Sequence, residues 1–141
     1  MRSAPDDITD TLGSLAIFAD LSRPDLERVA HTLEERYFAQ DERVLREGLS
    51  GSAFYIVLEG EAAVIAAGKR VNTLARGDFF GELSVLLGEA PVADIVAARP
   101  LRCLVLPGEL LKDFLQGNPR VCYRILVAEA RKLANATRRG G

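Results

Sequence analysis

Gly77-Asp78-Phe79-Phe80-Gly81-Glu82-Leu83-Ser84-Val85-Leu86-Leu87, followed by Pro91-Val92-Ala93-Asp94-Ile95-Val96, is the stretch that organises this chain. It reads as a glycine turn that feeds the start of a short helix. Such a turn presents backbone N–H groups with no helical acceptor, together with the positive end of a helix dipole. Gly81 suits the turn because it tolerates positive φ and lets a ligand come close to the main chain. Leu83 and Ser84 offer N–H groups to an anion, and Ser84 a hydroxyl as well. Glu82 accepts hydrogen bonds only, when ionised. By itself Glu82 is also what any helix favours in its first turn.

Upstream and downstream of this stretch the pattern is β-rich. Short runs recur between glycines: Arg36-Tyr37-Phe38, Arg43-Val44-Leu45, Phe54 to Leu58, Ala62 to Ile65, Val71 to Leu74, Ile95 to Ala97 and Leu101 to Leu106. Glu59-Gly60 and Gly68-Lys69 mark turns between them. Many short, closely spaced strands predict a sandwich, barrel or jelly roll rather than a βαβ sheet. Helical signals lie at the two ends. Ser22-Arg23-Pro24-Asp25 reads as an N-cap, after which Leu26, Val29, Ala30 and Leu33 share one face. Past Pro107, Leu110, Leu111, Phe114 and Leu115 predict a short helix ended by Gly117-Asn118. A longer helix begins at Pro119 and carries Cys122, Ile125, Leu126, Ala130, Leu133 and Ala134 as an apolar stripe.

Composition narrows the function. The chain has 141 residues, 48% of them hydrophobic and 27% charged, with a net charge of -2. That size and balance fit one globular domain, and nothing in the charge argues for a nucleic-acid partner. The longest apolar runs, such as Ala62 to Ala67, are too short for a bilayer, and the polar start is not a signal peptide. Two isolated cysteines, Cys103 and Cys122, make neither a disulfide framework nor a metal set, so a reduced, cytoplasmic setting is expected. A single histidine, His31, cannot build the metal site of a cupin-type jelly-roll enzyme. It also leaves no Ser-His-Asp or Cys-His set. No catalytic residue, metal or cofactor is expected. The basic residues Arg131, Lys132, Arg138 and Arg139 fit the end of a helix, where they oppose its dipole.

The order and spacing of these pieces resemble the cyclic nucleotide-binding domains of catabolite activator protein and of protein kinase A regulatory subunits. The resemblance covers roughly residues 15–133. It includes Ile17-Phe18-Ala19-Asp20-Leu21-Ser22, Glu47-Gly48, the strand pair from Ala53 to Ala62, the Gly77–Leu87 stretch and Leu104-Val105-Leu106-Pro107. It implies an all-β jelly roll (a double-stranded β-helix) with N- and C-terminal α-helices. The division is a polar segment 1–14, a domain 15–138 and a tail 139–141. It implies a phosphate-binding cassette in which Gly81, Glu82, Leu83, Ser84, Val92 and Ala93 face the ligand, with the glutamate accepting the ribose 2′-OH. The ligand implied is a cyclic nucleotide, cAMP first.

The cassette also departs from the family. Family members carry Pro-Arg, then a small residue, alanine and a hydroxyl residue. Here Val92 stands where the arginine belongs, Asp94 in place of alanine and Ile95 in place of the hydroxyl. The stretch from Glu82 to Pro91 is about one residue longer than usual, yet slipping the alignment restores nothing, since the next arginine is Arg99. Arg76, Arg99 and Arg102 are candidate substitutes, though solvated surface charge is the preferred account of them. Two readings stay open. The first is a non-enzymatic sensor that binds a cyclic nucleotide weakly, or an altered small anionic ligand. The second is a ligand-free relic used for dimerisation or protein docking. The resemblance implies a homodimer through the C-terminal helix. The sequence closes at Arg138-Arg139-Gly140-Gly141 with no helix-turn-helix, so no DNA-binding domain is expected.

Overall fold

Eight short strands lie among the described residues, 4–48 and 53–140 of the computed structural model. They are β1 (Glu34–Phe38), β2 (Arg43–Leu45), β3 (Ala53–Glu59), β4 (Ala62–Ala66), β5 (Lys69–Leu74), β6 (Phe79–Phe80), β7 (Asp94–Ala97) and β8 (Leu101–Pro107). Two four-stranded sheets result, ordered β1-β8-β3-β6 and β2-β7-β4-β5, and their pairings are antiparallel. This is the expected jelly roll. Its strand pattern differs from the sequence reading only at strand ends and at β6, a two-residue strand that the sequence reading did not place.

The inter-sheet core follows from alternation along the strands. Leu101, Cys103 and Val105 of β8 meet Tyr55 and Val57 of β3, Ala62 of β4, Leu74 of β5, Phe80 of β6 and Ile95 and Ala97 of β7. Each large apolar side chain there contributes about 1.5–3 kcal/mol by leaving water. The alternate residues of β3 and β8, Phe54, Ile56, Leu58, Leu104 and Leu106, are buried as well. Both strands are therefore apolar on both faces, which is why they read as continuous runs rather than alternating ones. The β3–β4 turn needs Gly60: its φ is +87°, and a Cβ there would run into the Pro100 carbonyl oxygen.

Contacts divide the chain into two compact units, residues 31–112 and residues 1–30 with 113–141. The first holds the β-roll and the short helix α3 (Glu82–Leu87), to which we return. The second is helical. It contains α1 (Ala4–Gly13), α2 (Arg23–Ala30), most of α4 (Leu111–Gly117) and α5 (Pro119–Gly140). The predicted cap at Ser22 is present: its Oγ accepts the Asp25 N–H at 3.3 Å, and its carbonyl the Leu26 N–H at 2.9 Å. The helix stops at Ala30, so Leu33 lies outside it, just ahead of β1.

Helices run through both end segments. The polar segment 1–14 contains α1, which buries Ile8 and Leu12 one turn apart. Only two large apolar residues, four apart, mark that helix, too faint a period to outweigh its acidic start. The tail 139–141 is not separate either, because α5 runs on through Arg139 and Gly140; Met1, Arg2, Ser3 and Gly141 lie outside the described residues. Within this unit Arg124 grips the Asp20 carboxylate with two nitrogens, at 2.7 and 2.9 Å. That fork holds the Asp20 carboxyl below its usual range.

Candidate functional site

The Gly81 turn is fixed from below by β3. β6 pairs with β3 through Tyr55–Phe80 and Ile56–Phe79, so the chain leaves the sheet at Phe80 and must turn at once. Gly81 makes that turn with φ +89° and serves as the N-cap of α3. A Cβ at this position would collide with the Ala53 carbonyl oxygen and press on the Tyr55 ring. Tyr55 itself stacks on Phe80, ring centres 4.7 Å apart and planes 3° from parallel. Glycine is thus required here twice over, by conformation and by space.

Glu82 follows as the first residue of α3 and is 4% exposed, one of two buried polar or charged residues among those described. Carboxylates are rarely buried unless something pairs with them. The first helical bond of α3 runs from Val85 N–H to Gly81 C=O, at 3.4 Å. The N–H groups of Leu83 and Ser84 therefore precede the helical ladder, as expected of an anion-facing turn. The Ser84 hydroxyl has other work: it donates to the Glu89 carbonyl at 2.5 Å and helps close the far end of α3.

Val92 and Ala93 lie on a separate loop that enters β7. Val92 is 71% exposed and Ala93 half-buried. Both ends of the loop are tied to the segment after β2. The Gly48 N–H donates to the Pro91 carbonyl at 2.9 Å, and the Glu47 N–H to Asp94 Oδ1 at 2.7 Å. Asp94 also faces Arg43 at 3.9 Å. Its carboxylate is a brace between two segments, a role that its place in the motif did not announce.

Each candidate replacement cation has a partner within the fold. Arg76 donates to the Leu58 carbonyl at 3.4 Å, and Arg99 faces Glu61 at 3.7 Å. Arg102 joins Glu35 at 2.6 Å to Glu59 at 3.0 Å, a half-buried bridge over three strands rather than a solvated charge. Among the described residues no group of His, Cys, Asp and Glu is arranged to hold a metal. None of their helices is long and apolar enough to cross a membrane.

The six expected site residues fall on two segments, Gly81 to Ser84 at the head of α3 and Val92-Ala93 on the loop into β7, and sequence reasoning missed the platform beneath Gly81. Ala53, Tyr55 and Phe80 form that platform. The adjacent aromatics Phe79-Phe80 ahead of a glycine were the available signal.

Comparison with known proteins places these features in context. Residues 35–118 match the family model for the cyclic nucleotide-binding domain. A cAMP-dependent protein kinase regulatory subunit from Mucor circinelloides f. lusitanicus is 36% identical over 100 residues. That match takes in 67% of this chain and 23% of the subunit, so the chain spans under a quarter of that relative. The solved structure of cAMP-bound PfPKA-R superposes with a TM-score of 0.79 at 25% identity, over 94% of this chain and 47% of that one. The regulatory subunit of a cAMP-independent protein kinase A from Trypanosoma brucei superposes with a TM-score of 0.69 at 25% identity, over 84% and 49%. A triple mutant of that subunit, solved with cAMP in its A site, matches equally well.

Proposed function

The chain belongs to the cyclic nucleotide-binding domain family, and we propose that it is a non-enzymatic regulatory sensor whose ligand is a cyclic nucleotide, cAMP first, held weakly. One observation carries this reading: Glu82 is buried at the head of α3, directly after a glycine that leaves no room for a Cβ. The ribose acceptor and the backbone donors of Leu83 and Ser84 are retained together. Val92 supplies no charge where the family uses an arginine. A charged hydrogen bond is worth about 1.5–3 kcal/mol, so affinity falls by about 10- to 150-fold against an arginine-bearing cassette. The Trypanosoma brucei subunit supports the link between arginine and cAMP. It is described as cAMP-independent, and one of the three substitutions in its cAMP-bound form introduces an arginine. A cytoplasmic setting accords with Cys103 as a buried free thiol.

Titration calorimetry with cAMP and cGMP at millimolar concentration tests this. Weak binding that disappears in Glu82→Ala is expected. Tight wild-type binding, below about 1 μM, that Glu82→Ala leaves unchanged rules out the pose.

A second reading, a dimerisation module, draws on α5. Tyr123, Leu126 and Leu133 are 64%, 62% and 70% exposed, and with Ala130 they recur at spacings of three and four. That is the seam of a two-stranded coil, and a second copy of the chain offers the same seam in return. The sequence placed Ile125 in this stripe, but it is buried on the other side of the helix with Val121. A homodimer would scatter light as twice the 15.3 kDa chain. Leu133→Glu should return it to a folded monomer, and a wild-type monomer at tens of micromolar excludes the seam.

A further inference from the structure

Residues three apart on a strand face opposite sides of a sheet. Arg70 and Thr73 of β5 do not. In the β4–β5 ladder Val64 stands opposite Asn72 and Ile65 opposite Arg70, which leaves Val71 as an extra residue on β5. This bulge turns the strand and returns Arg70 to the side of Thr73. The Arg70 Nε and Nη2 then both donate to Thr73 Oγ1, at 3.1 and 2.8 Å.

The pair is exposed, on the outer strand of its sheet. The residues directly across β4 are Ala63 and Ile65, both uncharged, so no carboxylate opposes an anion from that strand. The Nε–Nη2 edge is the one with which arginine grips two oxygens of a carboxylate or phosphate. Here it rests on one neutral hydroxyl. A phosphoryl group on that same oxygen would give the edge two anionic oxygens.

We propose that Thr73 is a phosphorylation site for an ATP-dependent serine/threonine kinase that reads a basic residue three positions ahead of its acceptor. Arg70 is that basic residue before transfer and the counter-ion of the product afterwards. In the transfer Thr73 Oγ1 attacks the γ-phosphorus of ATP and the O–P bond forms. The bond from that phosphorus to the β–γ bridging oxygen breaks, ADP departs, and the hydroxyl proton passes to the kinase's base. The outer edge of β5 is already extended and has no further strand beside it among the described residues, the form in which a peptide segment enters a groove.

The folded chain, incubated with a purified kinase of this arginine-directed class and Mg-ATP, should take up one phosphoryl group, mapped by mass spectrometry to Thr73 and absent in Thr73→Val. Arg70→Gln should slow the labelling about tenfold or more. Phosphorus NMR of the product should show its second ionisation below about 6, returning to about 6 in phosphorylated Arg70→Lys, which keeps the charge but loses the fork. Circular dichroism confirms that each variant is folded. Labelling of a peptide covering residues 66–78 but not of the folded chain overturns the site. So does labelling elsewhere. An unchanged rate in Arg70→Gln, or an ionisation unmoved between wild type and Arg70→Lys, overturns the part given to Arg70.

Discussion

Asp94 accepts the N–H of Glu47 at 2.7 Å, and this bond joins residues that lie 47 positions apart. With the bond from Gly48 N–H to the Pro91 carbonyl, it anchors both ends of a short arc that carries Val92 and Ala93. The position that lacks its arginine therefore stands on a fixed backbone, and its exposed side chain can be exchanged without disturbing the core.

Val92→Arg should accordingly fold as the wild type does and bind cAMP about 10- to 150-fold more tightly, the worth of one set of charge-assisted bonds. Calorimetry measures it. A folded variant with no gain would mean that the cassette has been rebuilt for another purpose, and the docking reading would take precedence.

Gly81→Ala should be costly despite adding one methyl group. A left-handed backbone is unfavourable for alanine by about 1–2 kcal/mol, and the collision is with the Ala53 carbonyl, which is main chain and cannot swing aside. A loss of about 2–4 kcal/mol in urea unfolding is expected. A loss below about 0.5 kcal/mol would show that the turn relaxes freely.

Acid should weaken the β1–β8 pairing through Glu35. Partial burial pushes its carboxyl up, but the Arg102 fork and the Tyr37 hydroxyl, which donates to it at 2.9 Å, outweigh burial and hold it below the usual range. A depressed carboxyl stabilises the fold above its unfolded value of about 4.3, and that contribution is lost as pH falls through the lower folded value. Arg102→Met should remove about 1 kcal/mol at neutral pH and flatten the decline of stability between about pH 5 and pH 3. Parallel declines in the two proteins would assign the acid sensitivity to other carboxylates.

Cys103 should resist thiol reagents in the native state. It is fully buried in the inter-sheet core, and burial pushes its thiol up to about 12. Cys122 is only half-buried and should react first. Two equally fast thiols at neutral pH would indicate a β-roll that opens readily.

How much of this was legible beforehand depended on whether a residue's environment is local in sequence. Glycine punctuation and runs such as Phe54 to Leu58 gave the strands, because turn chemistry and β-branched or aromatic content act over a few residues. Gly81 and Glu82 were legible because a helix start is a local device. Asp94 stood out only as a departure from the family's alanine, since its partner lies across the fold at Glu47. Tyr123 was passed over because an apolar stripe does not say which of its edges the domain buries. Arg70 and Thr73 drew no reading beforehand, because only the bulge at Val71 puts them on one face.

Both ends of α3 are left-handed glycines, Gly81 at φ +89° and Gly88 at φ +66°. Six residues of helix thus hang between two swivels, and the Ser84 hydroxyl locks the second of them. The segment is short enough to move as one stiff lever. Any tilt of the lever would turn torsions at two glycines and leave the β ladder whole. Amide exchange should register this as a joint opening of Glu82 to Leu87 at a free energy well below that of global unfolding, with β3 and β8 still protected.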